Sequence, residues 1–383
     1  MRWNFNPSAF ATYFFRMKKV LLLFIALFFI CSFSQNNSKN SLIVNDDEIV
    51  TFIFAGDIMG HSPQFQAAYN PKNNCFNYDI CFKNVKPYIQ SADFALANLE
   101  VPIAGKPYSG YPNFSSPDAL LDAIKNAGFN ILQTANNHAL DRNRSGLERT
   151  IFQLEKRKLF HLGSYYNEIQ RDSTYPLILN SKGIRIALLN CTYGTNDRKP
   201  SGLTLVNYLD TIQILQDIEK ARKLGAEFQI MTVHWGTEYE LQSNEIQYKY
   251  AQFFVNHGIN LVIGSHPHVV QNAENLIAKD SLSVPVFYSL GNYLSNQRNL
   301  NSNGGIMVKV QISSKTKRIT TISYLPVYVF RGVLNGEYQY HLIPTIDFIK
   351  HPSQFPINKS DSVSLVDFHR LTMNRLYNQH ILQ

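Results

Sequence analysis

The 383-residue sequence has only four cysteines, and their spacing is not that of a zinc knuckle. A thiolate-bound structural zinc is therefore without support. Blocks of lysine and arginine are missing beyond Arg16-Met17-Lys18-Lys19. The formal charge of +8 is spread thinly, so no nucleic-acid partner is read from it, only a weak preference for anionic partners. There is no internal repeat. The apolar run Val20–Phe33 falls short of the roughly 20 residues a membrane span needs. Against these absences, 45% of the residues are hydrophobic, ample for a buried core of one large domain or two smaller ones.

The N-terminus has the layout of a secretory signal. Arg16, Lys18 and Lys19 precede the apolar run, and Ser32 and Ser34 flank a cut after Ser34. Residues 1–34 are read as a signal peptide or an uncleaved N-terminal anchor, with Met17 as an alternative start, and the polar residues 35–47 as a linker. The expected location is secreted, periplasmic or cell-envelope. Cys31 leaves with the signal. Cys75 and Cys81 are close enough in sequence to pair in an oxidising compartment. Cys191 ends an apolar strand and reads as a buried free thiol.

From residue 48 onward, apolar strands alternate with amphipathic helices, as in layered α/β folds. Strand after strand ends in a metal-ligand type of residue. Ile49–Ala55 runs into Gly56-Asp57, which alone also reads as a turn or helix cap. His61 lines the cleft or begins the next helix. Asp93–Ala97 leads to Asn98-Leu99-Glu100, and Phe129–Thr134 leads to Asn136-Asn137-His138, with Asp141 placed to orient His138. Phe228–Val233 delivers His234, then Glu238, which reads either as a support for the ligands or as a solvated helix start. Ile259–Ile263 runs into Gly264-Ser265-His266-Pro267-His268. In extended chain, residues two apart share a face, so both imidazoles are expected to reach one ion. The aromatic loop around Tyr111 forms a cleft wall or a packed surface. Strand Val284–Leu290 ends at Gly291-Asn292. In such folds strand C-termini converge on one edge, where sites are built. The set Asp57, Glu100, Asn137, His234, His266 and His268 mixes oxygen and imidazole ligands, which suits Mn, Fe or Zn better than calcium. Such an ion polarises a carbonyl or phosphoryl oxygen and generates hydroxide from water near neutral pH.

The motifs Gly56-Asp57-Ile58-Met59, Asn98-Leu99-Glu100, Ala135-Asn136-Asn137-His138-Ala139-Leu140-Asp141, His234-Trp235-Gly236-Thr237-Glu238-Tyr239, Gly264-Ser265-His266-Pro267-His268-Val269-Val270-Gln271 and Ser289-Leu290-Gly291-Asn292 together resemble the bacterial CapA-type capsule-synthesis family, associated with poly-γ-glutamate. The resemblance runs from about residue 50 to about 330. That family in turn resembles calcineurin-like metallophosphatases. The resemblance implies a four-layer α-β-β-α sandwich over residues 48–334, followed by a C-terminal extension, 335–383. It also implies a site for one or two divalent transition-metal ions. Asp57, Asn137, His234, His266 and His268 match its metal ligands, and Glu100 stands near the bridging aspartate. His138, with Asp141, is the implied catalytic pair. His61, Asn136, Tyr111, Glu238 and Asn292 are the expected supporting or substrate-facing residues. Two departures matter. Met59 stands where the metallophosphatase pattern has a histidine, which His61 would have to replace, and glutamate replaces aspartate at position 100.

Three functions are in view. The first is metal-dependent hydrolysis of an amide or phosphoester during synthesis or processing of an anionic capsule polymer. The second is a phosphoesterase on a small or lipid-linked phosphate. The third is a non-catalytic polymer-binding subunit whose partner is a membrane synthesis complex.

Overall fold

The structure, a computed structural model, describes residues 47–377. The signal or anchor, all but the last residue of the linker, and the last six residues lie outside the described residues. Two β-sheets form the centre. The first runs in the order Glu337–Pro344, Ile319–Leu334, Gly304–Ser313, Ile49–Ile58, Phe94–Leu99, Ile131–Gln133, Phe160–Leu162, and the short strand Asn292–Leu294 also pairs with Ile49–Ile58. The second runs Ala273–Ile277, Ser283–Phe287, Leu261–Ser265, Phe228–His234, Ile184–Thr192, Leu177–Ser181. In each sheet the site-bearing strands are parallel neighbours and the antiparallel strands lie outside them.

The layering follows from the two-residue period of a strand. On Ile49–Ile58, Val50, Phe52 and Phe54 point between the sheets, where they join Ile186, Leu188, Ile230 and Leu261. Ile53 and Ala55 point the other way, onto Leu120, Leu121 and Ile124 of helix Ala119–Ala127. A strand buried on both faces must be apolar throughout, which is why it reads as a continuous run. Helices Thr211–Lys223 and Glu245–Asn256 cover the outer face of the second sheet through Ile218, Phe254 and Val255. The result is the four-layer α-β-β-α sandwich that the resemblance implies.

Two glycines set the spacing near the site. A Cβ at Gly56 would lie 1.9 Å from the Gly291 carbonyl oxygen, and one at Gly264 would lie 1.9 Å from that of Tyr288. Backbones meet there, and only glycine allows it.

The residues after 334, read as an extension, continue the first sheet. Asn335-Gly336, both at positive φ, turn the chain into the edge strand Glu337–Pro344. Helix Lys359–Tyr377 then packs Leu365 and Phe368 on Tyr328 and Phe330. The Cys75–Cys81 pairing that their closeness in sequence allows does not form. Cys75 is exposed, whereas Cys81 is buried in the short helix Asp79–Phe82, so the two thiols belong to different environments. Cys191 is buried and free, as read. Among the described residues no helix is long and apolar enough to cross a membrane.

Candidate metal centre

The site lies where the C-terminal ends of both sheets' parallel strands meet. Asp57 comes from within strand Ile49–Ile58, and Glu100 follows Phe94–Leu99 directly. Asn136, Asn137 and His138 lie in the loop beyond Ile131–Gln133. From the second sheet, His234 is the last residue of its strand, and His266 and His268 follow Leu261–Ser265. All six expected ligands are buried.

Two clusters result. In one, Asp57, Glu100 and His268 bring ligand atoms within 4.8 Å of one another; in the other, Glu100, His234 and His266 do so. Glu100 belongs to both. Its Oε1 lies 3.6 Å from His234 Nε2 and 3.7 Å from His268 Nε2. Asn137 joins the second cluster, with its Oδ1 2.8 Å from His234 Nε2.

The expectation that His266 and His268 serve one ion is overturned. The strand stops at Ser265, and both histidines take positive φ, +101° and +60°. Few non-glycine residues do so, and histidine is among the more tolerant. The extended-chain rule lapses at that point. The rings stand 6.1 Å apart, one in each cluster.

His61 joins neither cluster. It caps helix Ser62–Ala68, its Nδ1 lies 3.1 Å from Gln64 Oε1, and its ring meets the Phe114 ring at 5.3 Å. Met59 is buried among the helix-side core residues. The first cluster therefore has three such ligands, not four.

The remaining candidates fall into two groups. His138 Nδ1 lies 2.8 Å from Asp141 Oδ2, which also accepts the Phe114 N–H at 2.8 Å. Asp141 thus holds the Nδ1 proton and leaves Nε2 free to act. Asn136 donates to Asn98 Oδ1 and to the Leu99 carbonyl, bracing the loop against the neighbouring strand. Asn292 pairs in register with Asp57. Tyr111, by contrast, is 76% exposed and touches the site only through the Phe114 ring, 6.3 Å away. Glu238 is exposed, and its bond goes to Tyr239 instead of a ligand.

One residue without an assigned role in the sequence reading proves central. Asn98 Nδ2 lies within hydrogen-bond reach of Asp57 Oδ1, Glu100 Oε2 and His234 Nδ1, at 2.8, 3.2 and 3.3 Å. It clasps the clusters together. Its position two residues before Glu100, on the same strand face, was the available signal. The Tyr193 ring lies 4.6 Å from the His266 ring and is about half exposed, forming a lip over the second cluster.

The chemistry of the donors fits a cation. Glu100 Oε1 and His266 Nδ1 are buried without a hydrogen-bond partner, a costly state that a bound ion would relieve. Burial, reinforced by the other histidines, pushes His234 well below the usual imidazole range, and burial takes His266 down to about 3. Both rings are neutral at pH 7 and ready to ligate. Burial, and then the Asp57 charge, pushes Glu100 well above the ordinary carboxylate range. A carboxyl shifted in that direction sets its proton in competition with an incoming cation, so metal affinity rises with pH. Calorimetric titration with Mn²⁺ or Zn²⁺ in buffers of different ionisation enthalpy should show proton release on binding. Glu100→Gln should show less.

Fold and site together define a metal-binding protein on a four-layer α/β sandwich, with places for one or two divalent ions. The chain matches the family model described as bacterial capsule synthesis protein PGA_cap over residues 51–297, and it belongs to that family. It is 27% identical over 267 residues to the capsule biosynthesis protein CapA of Bacillus anthracis, covering 66% of this chain and 61% of that one. It is 25% identical over 269 residues to the PGA biosynthesis protein CapA of Bacillus subtilis (strain 168), covering 66% and 64%. The chain thus spans somewhat over three-fifths of the length of these relatives. Among solved structures, it is similar to the NAD nucleotidase NadN of Haemophilus influenzae, with a TM-score of 0.47, 13% identity and coverage of 86% and 61%. A phosphatase from Mycoplasma pneumoniae gives 0.42, 15%, 74% and 94%.

Proposed function

We propose that this protein is a secreted or envelope-anchored metal-dependent hydrolase acting on an anionic capsule polymer, of the poly-γ-glutamate kind, during its synthesis or processing. The observation that carries this reading is the pair of buried clusters joined through Glu100, within a capsule-synthesis family domain. The location rests on that family membership and on the signal-like residues 1–34.

Asp57 and His268 would hold one ion, Asn137, His234 and His266 a second, and Glu100 would serve both. Bound ions of the Mn, Fe or Zn type supply Lewis-acid polarisation of a carbonyl or phosphoryl oxygen and a nucleophile from water at neutral pH. His138 carries the proton. Asp141 fixes it through Nδ1, and Nε2 donates to the departing amine or alkoxide.

His138→Ala should lower kcat about 10²–10⁴-fold at unchanged metal content, and Asp141→Asn should fall in the same direction. The screen pairs γ-glutamyl oligomers with aryl phosphates and follows product release by the metal-loaded protein. Cleavage of the oligomers supports the proposal. Turnover of phosphates alone moves the assignment to a phosphoesterase. Full capsule formation in cells carrying His138→Ala, together with copurification of a membrane ligase, would replace it with the non-catalytic subunit.

A further inference from the structure

A short chain of hydrogen bonds leads from the first cluster to a cation that, among the described residues, has no carboxylate partner. Arg331 lies on strand Ile319–Leu334, half buried, opposite Tyr340 in register. Its one hydrogen bond is from Nη1 to the Gln297 carbonyl oxygen, at 2.6 Å. Among the described residues no carboxylate stands within ion-pairing distance of it. The charge of another arginine, Arg298, acts on it. Burial, and then the charge of Arg298, pulls the Arg331 guanidinium below its usual range. A half-buried guanidinium beside a like charge is costly unless an anion joins it.

The connection to the site runs through Gln297. Its Oε1 accepts from Asn292 at 2.9 Å, and Asn292 pairs in register with Asp57. Its Nε2 donates to the Tyr239 hydroxyl at 3.3 Å, and the Tyr239 ring lies 6.0 Å from that of His268. The preceding residue, Asn296, reaches His61 with its N–H at 3.4 Å and accepts from the Tyr340 hydroxyl at 2.6 Å. Arg331 is thus tied to the wall of the first cluster by a chain of bonds with no slack residue. Asn292 Oδ1, fully buried in that wall, has no partner. On the outer side, Arg298 and Lys72 line a surface groove of about 820 Å³, which Glu337 also borders.

We infer that Arg331, with Arg298, forms an oxyanion subsite flanking the metal centre, which seats a carboxylate of the substrate next to the bond being cut. The carboxylate assignment rests on the proposed function. The chemistry it shares with a phosphate is a planar fork of N–H donors matched to paired oxygens. The subsite makes the protein selective for a polyanion, because a substrate without a charge at that spacing leaves the guanidinium unpaired.

The test measures binding, not turnover. Full-length wild-type protein and Arg331→Gln, shown to carry equal metal by elemental analysis and to share one urea midpoint, are titrated with a γ-glutamyl oligomer, its α-carboxamide counterpart, and inorganic phosphate. Arg331→Gln should weaken the oligomer about tenfold, flatten its salt dependence and leave the amide unaffected. Arg298→Gln should weaken it less. Should the variant fail to match the wild-type midpoint, Arg331→Lys replaces it: the point charge persists but the fork is lost, and a several-fold loss is still required. Equal oligomer binding by wild type and variant overturns the subsite while sparing the capsule reading. Arginine-dependent binding of phosphate without the oligomer keeps the subsite and removes the capsule polymer as its occupant. Binding of neither anion by the wild type overturns the subsite.

Discussion

Glu100→Ala should abolish metal binding at both clusters in one step. Elemental analysis of the purified variant is expected to find almost no ion, and the proposed hydrolytic turnover should drop well beyond a hundredfold. The reasoning is comparative. Loss of a residue that merely supports a ligand typically costs about 10–100-fold in affinity or activity, and Glu100 supplies the oxygen shared by two sets of ligands. The contrast with single-cluster variants makes the result diagnostic. Asp57→Ala should strip the cluster containing His268 and leave the His234–His266 cluster able to bind. His234→Ala should do the reverse. If Glu100→Ala keeps the metal content of the wild type, the shared-ligand assignment is wrong. Folding is a weaker concern at this residue than at a paired charge, because the Glu100 carboxyl is pushed toward its neutral form by burial and by Asp57. Its removal leaves no unpaired buried cation behind.

The second large effect is on stability. Gly264→Ala should cost about 3 kcal/mol or more, at or above the top of the usual range for overpacking. The added methyl would lie 1.9 Å from a backbone oxygen, that of Tyr288, and 2.6 Å from Trp235 Nε1. Tyr288 lies immediately after strand Ser283–Phe287, and its carbonyl already accepts from Trp235 Nε1 at 2.9 Å, so it has nowhere to retreat. Gly56→Ala meets the Gly291 carbonyl at the same distance and should behave alike. Gly194→Ala is the control: nothing lies within 4 Å, so its urea midpoint should stay within about 0.5 kcal/mol of wild type. A Gly264→Ala midpoint as high as that of the control would show that the strand spacing is not set where the contacts place it.

Much of the architecture was legible beforehand, and the reasons are local. Strands buried on both faces read as unbroken apolar runs, and helices covering them read as one-sided patterns. Strands Phe228–His234 and Leu261–Ser265 sit within a residue or two of where the apolar runs put them. The edge strand Glu337–Pro344 was missed although its signal was present. Asn335-Gly336 is a strong two-residue turn sequence, but the strand beyond it, at a sheet edge, carries polar residues that blur the pattern. Helix Ser62–Ala68 was foreshadowed only by its start at His61. The Cys75–Cys81 pairing failed because closeness in sequence says nothing about where two side chains point.

The same division holds at the metal centre. Residue types at strand ends were enough to name Asp57, Glu100, Asn137, His234, His266 and His268, since parallel strands must deliver their C-termini to a common edge. How those six were shared out could not be read that way. That depended on the two sheets packing face to face, on Asn98 reaching across to both carboxylates, and on the chain leaving its extended path at Ser265, which turned adjacent imidazoles toward different partners. Sequence periodicity is a property of one strand at a time. The allotment of ligands depends on how two sheets approach, and that distance is fixed only when the interior is packed.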